Sequence, residues 1–124
     1  MSDYAIAVEV RTRYMEDQSV PEENRYVFTY TINIRNTGQL SAQLLSRYWL
    51  ITDGNEEVQE VQGMGVVGEQ PLIAPGESYE YTSGCVLATA VGSMRGHYLF
   101  QAEDGHEFQA EIPAFTLARP HALH

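Results

Sequence analysis

Apolar and polar positions alternate with period 2 along most of the chain. Between Ile6 and Tyr14 one face carries Ile6, Val8, Val10, Thr12 and Tyr14, and the other Ala7, Glu9, Arg11 and Arg13. Between Tyr26 and Ile34 the alternation sets Tyr26, Phe28, Tyr30, Ile32 and Ile34 against Val27, Thr29, Thr31 and Asn33. Both stretches are rich in aromatic and β-branched residues, which predicts half-buried strands. From Leu44 to Ile51 apolar residues occupy both faces (Leu45, Trp49, Ile51 and Leu44, Tyr48, Leu50), predicting a central strand covered on both sides. Glu57 to Gln62 predicts a short polar strand, Leu72-Ile73 an extended pair, and Ser78 to Ser83 a strand with Tyr79 and Tyr81 on one face. Cys85 to Thr89 is compatible with a single helical turn.

Turn signals separate these runs. Asn36-Thr37-Gly38, Asp53-Gly54 and Ala74-Pro75-Gly76-Glu77 each close a strand. Asp104-Gly105 joins Met94–Ala102 to His106–Ile112 as a two-residue hairpin turn with positive φ at both positions. Pro113 ends the last strand or confines it to an edge. Seven or so strands at this spacing, with no ten-residue segment of helical period, predict an all-β sandwich.

The 124 residues, 44% hydrophobic, fit one domain. An ordered core over about residues 4–117 is expected, with 118–124, including His121 and His124, as a mobile tail. Seventeen acidic residues against seven basic ones give a net charge of −10, an unfavourable balance for nucleic acid or an anionic membrane. All seven basic residues are arginines, which excludes a phosphate-loop lysine and Schiff-base chemistry. One cysteine, Cys85, excludes an internal disulfide and a cysteine-built metal site. Neither a leader pattern at Met1-Ser2-Asp3-Tyr4 nor a bilayer-length apolar run is visible, so a cytoplasmic location is expected.

Gly63-x-Gly65-x-x-Gly68 matches the dinucleotide fingerprint as a string. That fingerprint works only where a helix N-terminus follows to hold a pyrophosphate, and Glu69-Gln70-Pro71-Leu72 predicts none. A glycine-rich turn can still present successive N–H groups to an anion. Charge-assisted N–H bonds contribute ~1.5–3 kcal/mol each. A Glu69 carboxylate within about 4 Å of the anion would oppose binding by ~4 kcal/mol at an effective dielectric of 20. Binding therefore requires Glu69 to turn away or to bridge through a cation such as magnesium. The structural alternative makes these glycines a corner between sheets, with Val66 and Val67 packed inward.

Other candidates are sparse. His97, His106, Glu107 and the acids Glu56, Glu57 and Glu60 are the metal-ligand types present, and none has ligand-motif spacing. Glu56 and His97 are the positions expected to touch a weakly held magnesium or cobalt ion; no cofactor is required. Ser83-Gly84-Cys85 with His97 as base lacks a nucleophile elbow, and Cys85 reads as a small buried hydrophobe. Tyr48 beside Arg47 has the chemistry of an interface anchor. Edge strands also offer pairing to a peptide or to a second copy, giving a homodimer through an edge.

The run Gly63-Met64-Gly65-Val66-Val67-Gly68-Glu69-Gln70-Pro71, continuing through Ile73–Gly84, Leu87-Ala88-Thr89 and Gly92–Tyr98, with Leu44–Asp53 upstream, resembles the ApaG family. Members also occur as a domain in some F-box proteins and in a polymerase-delta-interacting protein. The resemblance covers about Tyr4 to Phe115. Ala90 stands where the family often has proline, and Arg95 and His97 stand where glutamate or glutamine and a small polar residue are common. The resemblance implies a fibronectin type III-like sandwich and a cytoplasmic accessory role associated with cobalt resistance and magnesium efflux. It implies no catalytic residue.

The expected function is a non-enzymatic interaction module linked to divalent-cation homeostasis, acting on an unidentified protein partner. Its functional face is expected at the Gly63–Pro71 loop and its neighbours, using Gly63, Gly65, Gly68, Glu69, Arg47, Tyr48 and Arg95. The alternative is a polyphosphate or nucleotide-binding protein, for a ligand resembling diadenosine tetraphosphate, in which the three glycines cradle phosphates and Arg47 or Arg95 pairs with them.

Overall fold

The computed structural model describes residues 3–121. Eight strands form: β1 (Ile6–Tyr14), β2 (Tyr26–Asn36), β3 (Ala42–Asp53), β4 (Val58–Met64), β5 (Leu72–Ile73), β6 (Ser78–Leu87), β7 (Val91–Ala102) and β8 (Glu107–Ala118). Two single 3-10 turns, Glu16–Gln18 and Pro21–Glu23, fill the connection from β1 to β2. One sheet runs β1-β2-β6; the other runs β4-β3-β7-β8, with β5 beside β3. All pairings are antiparallel. No helix among the described residues is long and apolar enough to cross a membrane.

The predicted alternation of β1 and β2 reappears as burial. Phe28, Tyr30, Ile32 and Ile34 are buried, and Ile6, Val8, Val10 and Tyr14 pack against the same core. Trp49, Tyr98, Phe100, Met94, Ile112 and Leu117 close it from the facing sheet. Trp49 meets Tyr30, Tyr98 and Phe115 edge-on, with centroids 5.4, 6.5 and 5.8 Å away. This aromatic packing joins the two layers.

Asn36 is the corner between them. It is the buried polar side chain among the described residues, and its amide is fully used. Nδ2 donates to the carbonyls of Leu40 (2.8 Å) and Ile73 (2.9 Å), and Oδ1 accepts from the Gly38 N–H (2.9 Å). One side chain thus ties β2, the crossover to β3, and β5.

Several local expectations are corrected. β3 is central, but a bulge between Leu44 and Ser46 shifts its phase, so Leu44 lies inward with Trp49 and Ile51. The extra residue reverses the face that strict alternation assigns to Leu44. The outer side of β3 carries no further layer, and Tyr48 and Leu50 remain half-exposed there. Cys85 to Leu87 continues β6 rather than turning, because Val27 and Phe28 of β2 pair with it.

The hairpin at Asp104-Gly105 has a three-residue loop, Glu103–Gly105, with positive φ at Gly105 alone; the Ala102 N–H donates to the His106 carbonyl. β8 runs through Pro113 as an edge strand, and the ladder shifts between Met94 and Gly96, opposite the proline. A residue without an N–H is tolerated where the ladder is already interrupted. Ala118 ends β8, and the Arg119 N–H donates to the Ala90 carbonyl, so the ladder reaches into the expected tail. His124 lies outside the described residues.

Candidate functional site

Neighbouring residues on a strand point to opposite faces. That separates the two residues expected to act together on β3: Tyr48 faces outward, whereas Arg47 shares the inward phase of Trp49.

On the outer face, cross-strand register aligns Gln62, Tyr48, His97 and Glu111 in one row. The Tyr48 ring stacks on His97, with centroids 5.1 Å apart and 20° between planes. Its hydroxyl donates to Glu60 Oε2 at 2.7 Å. That bond raises the tyrosine's ionisation above its ordinary value, with desolvation adding and Arg95 opposing. A shallow groove of about 500 Å³ opens between Ser46, Tyr48, Gln62, Gly63, Met64 and His97, with Arg47 also in its lining. Arg95 lies one row along, opposite Leu50, which is itself opposite Glu60. A stacked aromatic pair, an arginine and a carboxylate thus share one open sheet face.

Arg47 sits beneath the glycine segment. Nη1 donates to the carbonyls of Met64 (3.2 Å) and Gly65 (2.8 Å). A Cβ at Gly63 would come within 2.8 Å of that same nitrogen. Its positive charge also favours ionisation of Tyr30, Tyr81 and Tyr98, where burial has the larger, opposite effect. Tyr81 and Tyr98 share a buried hydroxyl–hydroxyl bond of 2.5 Å.

The Gly63–Gly68 segment forms a tight reverse turn, with no helix after Gly68. Val66 and Glu69 exchange N–H···O bonds at 2.8 and 2.9 Å, and Val67 and Gly68 at the tip have φ of 43° and 82°. The Gly65 N–H donates to the Leu45 carbonyl at 2.8 Å. The segment does not cross between sheets, since β4 and β5 on either side of it both pair with β3. The crossover falls instead after β5, at Pro75-Gly76. Val66 is buried as expected, but Val67 is 54% exposed, because the turn tip points away from the core. Glu69 lies near Tyr79, whose ionisation is raised first by burial and then by the negative charge of that carboxylate.

Glu56 and His97 are not brought together. Glu56 sits at φ 64° in the β3–β4 turn, where Asp53 Oδ1 accepts the N–H groups of Asn55 (2.8 Å) and Glu57 (3.0 Å). His97 lies on the open face beside Tyr48. Among the described residues no three His, Cys, Asp or Glu side chains are grouped to hold a metal ion. Cys85 lies in the core, and burial pushes its thiol up to about 11, the opposite of an activated thiolate.

The site residues missed in the sequence are Tyr30, Tyr81 and Ser83, which gather around Arg47 from a different sheet. Their inward phase was legible; their convergence on Arg47 depends on how the layers stack.

The pattern described as the ApaG domain matches residues 16–102. A protein named ApaG from Ralstonia nicotianae is 58% identical over 124 residues, covering all of both chains. One from an Azoarcus species is 62% identical over 121 residues, spanning 98% of this chain and 95% of that one. A crystal structure from Bordetella pertussis, described as an ApaA protein, superposes with a TM-score of 0.95 at 53% identity, covering 98% of each chain. Fold, full-length similarity and the glycine-turn segment agree: the chain belongs to the ApaG family.

Proposed function

We propose that this chain is a non-enzymatic cytoplasmic interaction module, tied to divalent-cation homeostasis through a protein partner rather than through a catalytic site. The supporting observation is the open face of the β4-β3-β7-β8 sheet. There the Tyr48–His97 stack, Arg95 and the groove beside Gly63 combine the residue types that dominate protein interfaces. The opposite outer face, on β1-β2-β6, is polar and self-paired: Arg11 bonds Glu80 at 3.2 Å, and Thr31 bonds Thr82 at 2.8 Å.

A photo-crosslinking residue placed at Tyr48, and separately at Arg11, tests this reading in cells. The module predicts discrete adducts from position 48, lost on adding Arg95→Glu, and none from position 11. Adducts equal in pattern at both positions would overturn it.

The second reading, phosphate or nucleotide binding at Gly63–Gly68, rests on Arg47 lying under Gly63. Its difficulty is that the N–H groups of Gly65, Val66 and Glu69 are already bonded within the protein. Titration with pyrophosphate, with and without magnesium, must produce saturable amide shifts at Val67 and Gly68 for this reading to stand.

A further inference from the structure

The two sheets do not meet along one side. Among the described residues β4 pairs only with β3, and β6 only with β2, so two unpaired edges face each other across an open mouth. Three cavities of about 260, 360 and 230 Å³ lie in line along it. The first two share Tyr30, Arg47, Trp49 and Ser83; the second and third share Ile51, Gln59 and Val86. They form one furrow, walled by β4 and its turn on one side and by Tyr81–Ala88 on the other.

Its rim carries several exposed apolar side chains, with the acids Asp53 and Glu57 confined to the third cavity, away from Arg47. Val58 (58% exposed), Met64 (70%), Val67 and Val86 (49%) all line it. Natural edge strands are blunted by charge or proline. From Tyr81 to Leu87 there is neither, and the one charge on β4, Glu60, is bonded to Tyr48 on the other face.

Inside the furrow stands Arg47. The ion pair among the described residues is Arg11–Glu80, so Arg47 has no carboxylate. Its hydrogen bonds to Met64 and Gly65 use Nη1, leaving Nη2 and Nε without an acceptor among the described residues. A guanidinium fork of this kind matches a carboxylate.

We infer that this furrow binds an extended peptide segment of another protein. The segment adds as a strand to the β6 edge and directs one acidic side chain to Arg47, with an apolar side chain two residues to either side. In a strand, alternate residues face the same way about 6.6 Å apart. An acid at Arg47 therefore places its i−2 and i+2 neighbours toward the Met64–Val67 cavity and the Val58–Val86 cavity. About six residues, roughly 20 Å when extended, fill the length of β4.

A second copy of this chain fits less well. Pairing β6 on β6 would turn Tyr81, Ser83, Cys85 and Leu87 inward, and none is an acid. The net charge of −10 repels highly acidic partners, but exposed charges are screened beyond ~8 Å at physiological salt, so a segment with a single acid is favoured. The furrow adjoins the Tyr48 groove, with Arg47 and Met64 lining both, but it opens between the sheets rather than on the outer side of β3, and the inference goes beyond the reading given above.

The test uses the full chain and an N-acetylated, C-amidated hexapeptide, Val-Thr-Glu-Thr-Val-Thr, followed by amide shifts. Expected are saturable shifts over Tyr81–Leu87 and Val58–Met64. Replacing the peptide's Glu by Gln should weaken binding about ten-fold, as should Arg47→Met. Methylating alternate peptide nitrogens, which leaves the protein untouched, should abolish binding in one of the two phases. Equal affinity for the Glu and Gln peptides, or no saturation at millimolar peptide, would overturn the inference. So would shifts confined to Tyr48 and His97, although those would leave the module reading intact. Concentration-dependent self-association that shifts the same β6 amides would assign the furrow to a second copy instead.

Discussion

The guanidinium of Arg47 lies against the bare Cα of Gly63, and its two bonds to the Met64 and Gly65 carbonyls hold the start of the glycine segment to β3. The first glycine is therefore small to admit a side chain. The other two serve backbone geometry. Gly65 has φ 65°, and a Cβ there would overlap the Glu69 carbonyl; Gly68 has φ 82° in open space.

Alanine substitutions should accordingly differ. Gly65→Ala should cost more than ~2 kcal/mol, because strain and collision with fixed backbone combine. Gly68→Ala should cost about 1 kcal/mol for the left-handed conformation alone. Gly63→Ala should cost about 1 kcal/mol, since the flexible end of Arg47 can swing aside, losing one exposed and one part-buried bond. Urea denaturation of the three variants checks the order. Equal costs at Gly65 and Gly68 would contradict the turn geometry.

Asn36→Ala should be among the more destabilising changes in the domain, by ~2–4 kcal/mol. It removes the side-chain bonds to the Leu40 and Ile73 carbonyls and to the Gly38 N–H at the corner between the sheets. Thermal unfolding followed by circular dichroism measures the loss; a change within about 0.5 kcal/mol would show that water replaces the amide.

The Tyr81–Tyr98 hydroxyl pair predicts non-additivity. Either single change to Phe strands the partner's hydroxyl and should cost ~1–2 kcal/mol, whereas the double change removes both polar groups together. The double variant should be more stable than the sum of the singles implies, by at least about 0.5 kcal/mol. Strict additivity in urea would mean the hydroxyls do not depend on each other.

Cys85 predicts an alkaline limb. Burial raises the folded thiol to about 11 from the ordinary 9.0, so above pH 9 the unfolded chain gives up its proton more readily than the native one. This contribution to stability is complete below about pH 9 and is lost as pH rises toward 11. The wild-type urea midpoint should fall more steeply across that window than that of Cys85→Ala. The buried tyrosines, raised in the same sense, add a common decline at higher pH. Parallel curves would show that Cys85 does not titrate differently in the two states.

Much of the candidate site was legible only in part. The Gly63–Gly68 string identified a turn, and Tyr48 beside Arg47 was recognisable as the chemistry of an interface anchor. Their separation onto opposite faces follows from strand alternation, but the hold of Arg47 on the glycine segment does not. It arises because Arg47 and Gly63, 16 positions apart in the chain, are opposite each other in register. The furrow was invisible in the sequence, since Val58 and Val86 look like ordinary strand residues until β4 and β6 emerge as facing edges.

The sequence alone determined where the strands lie and which side chains of β1 and β2 turn inward, because alternation is a property of neighbouring residues. It also determined the family, through a specific run of residues. Only the tertiary structure decided the bulges at Leu44 and Met94, the corner at Asn36, and the open mouth between β4 and β6. Each of these depends on which distant strand supplies the missing hydrogen-bond partner. Local pattern fixes the direction of a side chain; cross-strand pairing fixes what it meets.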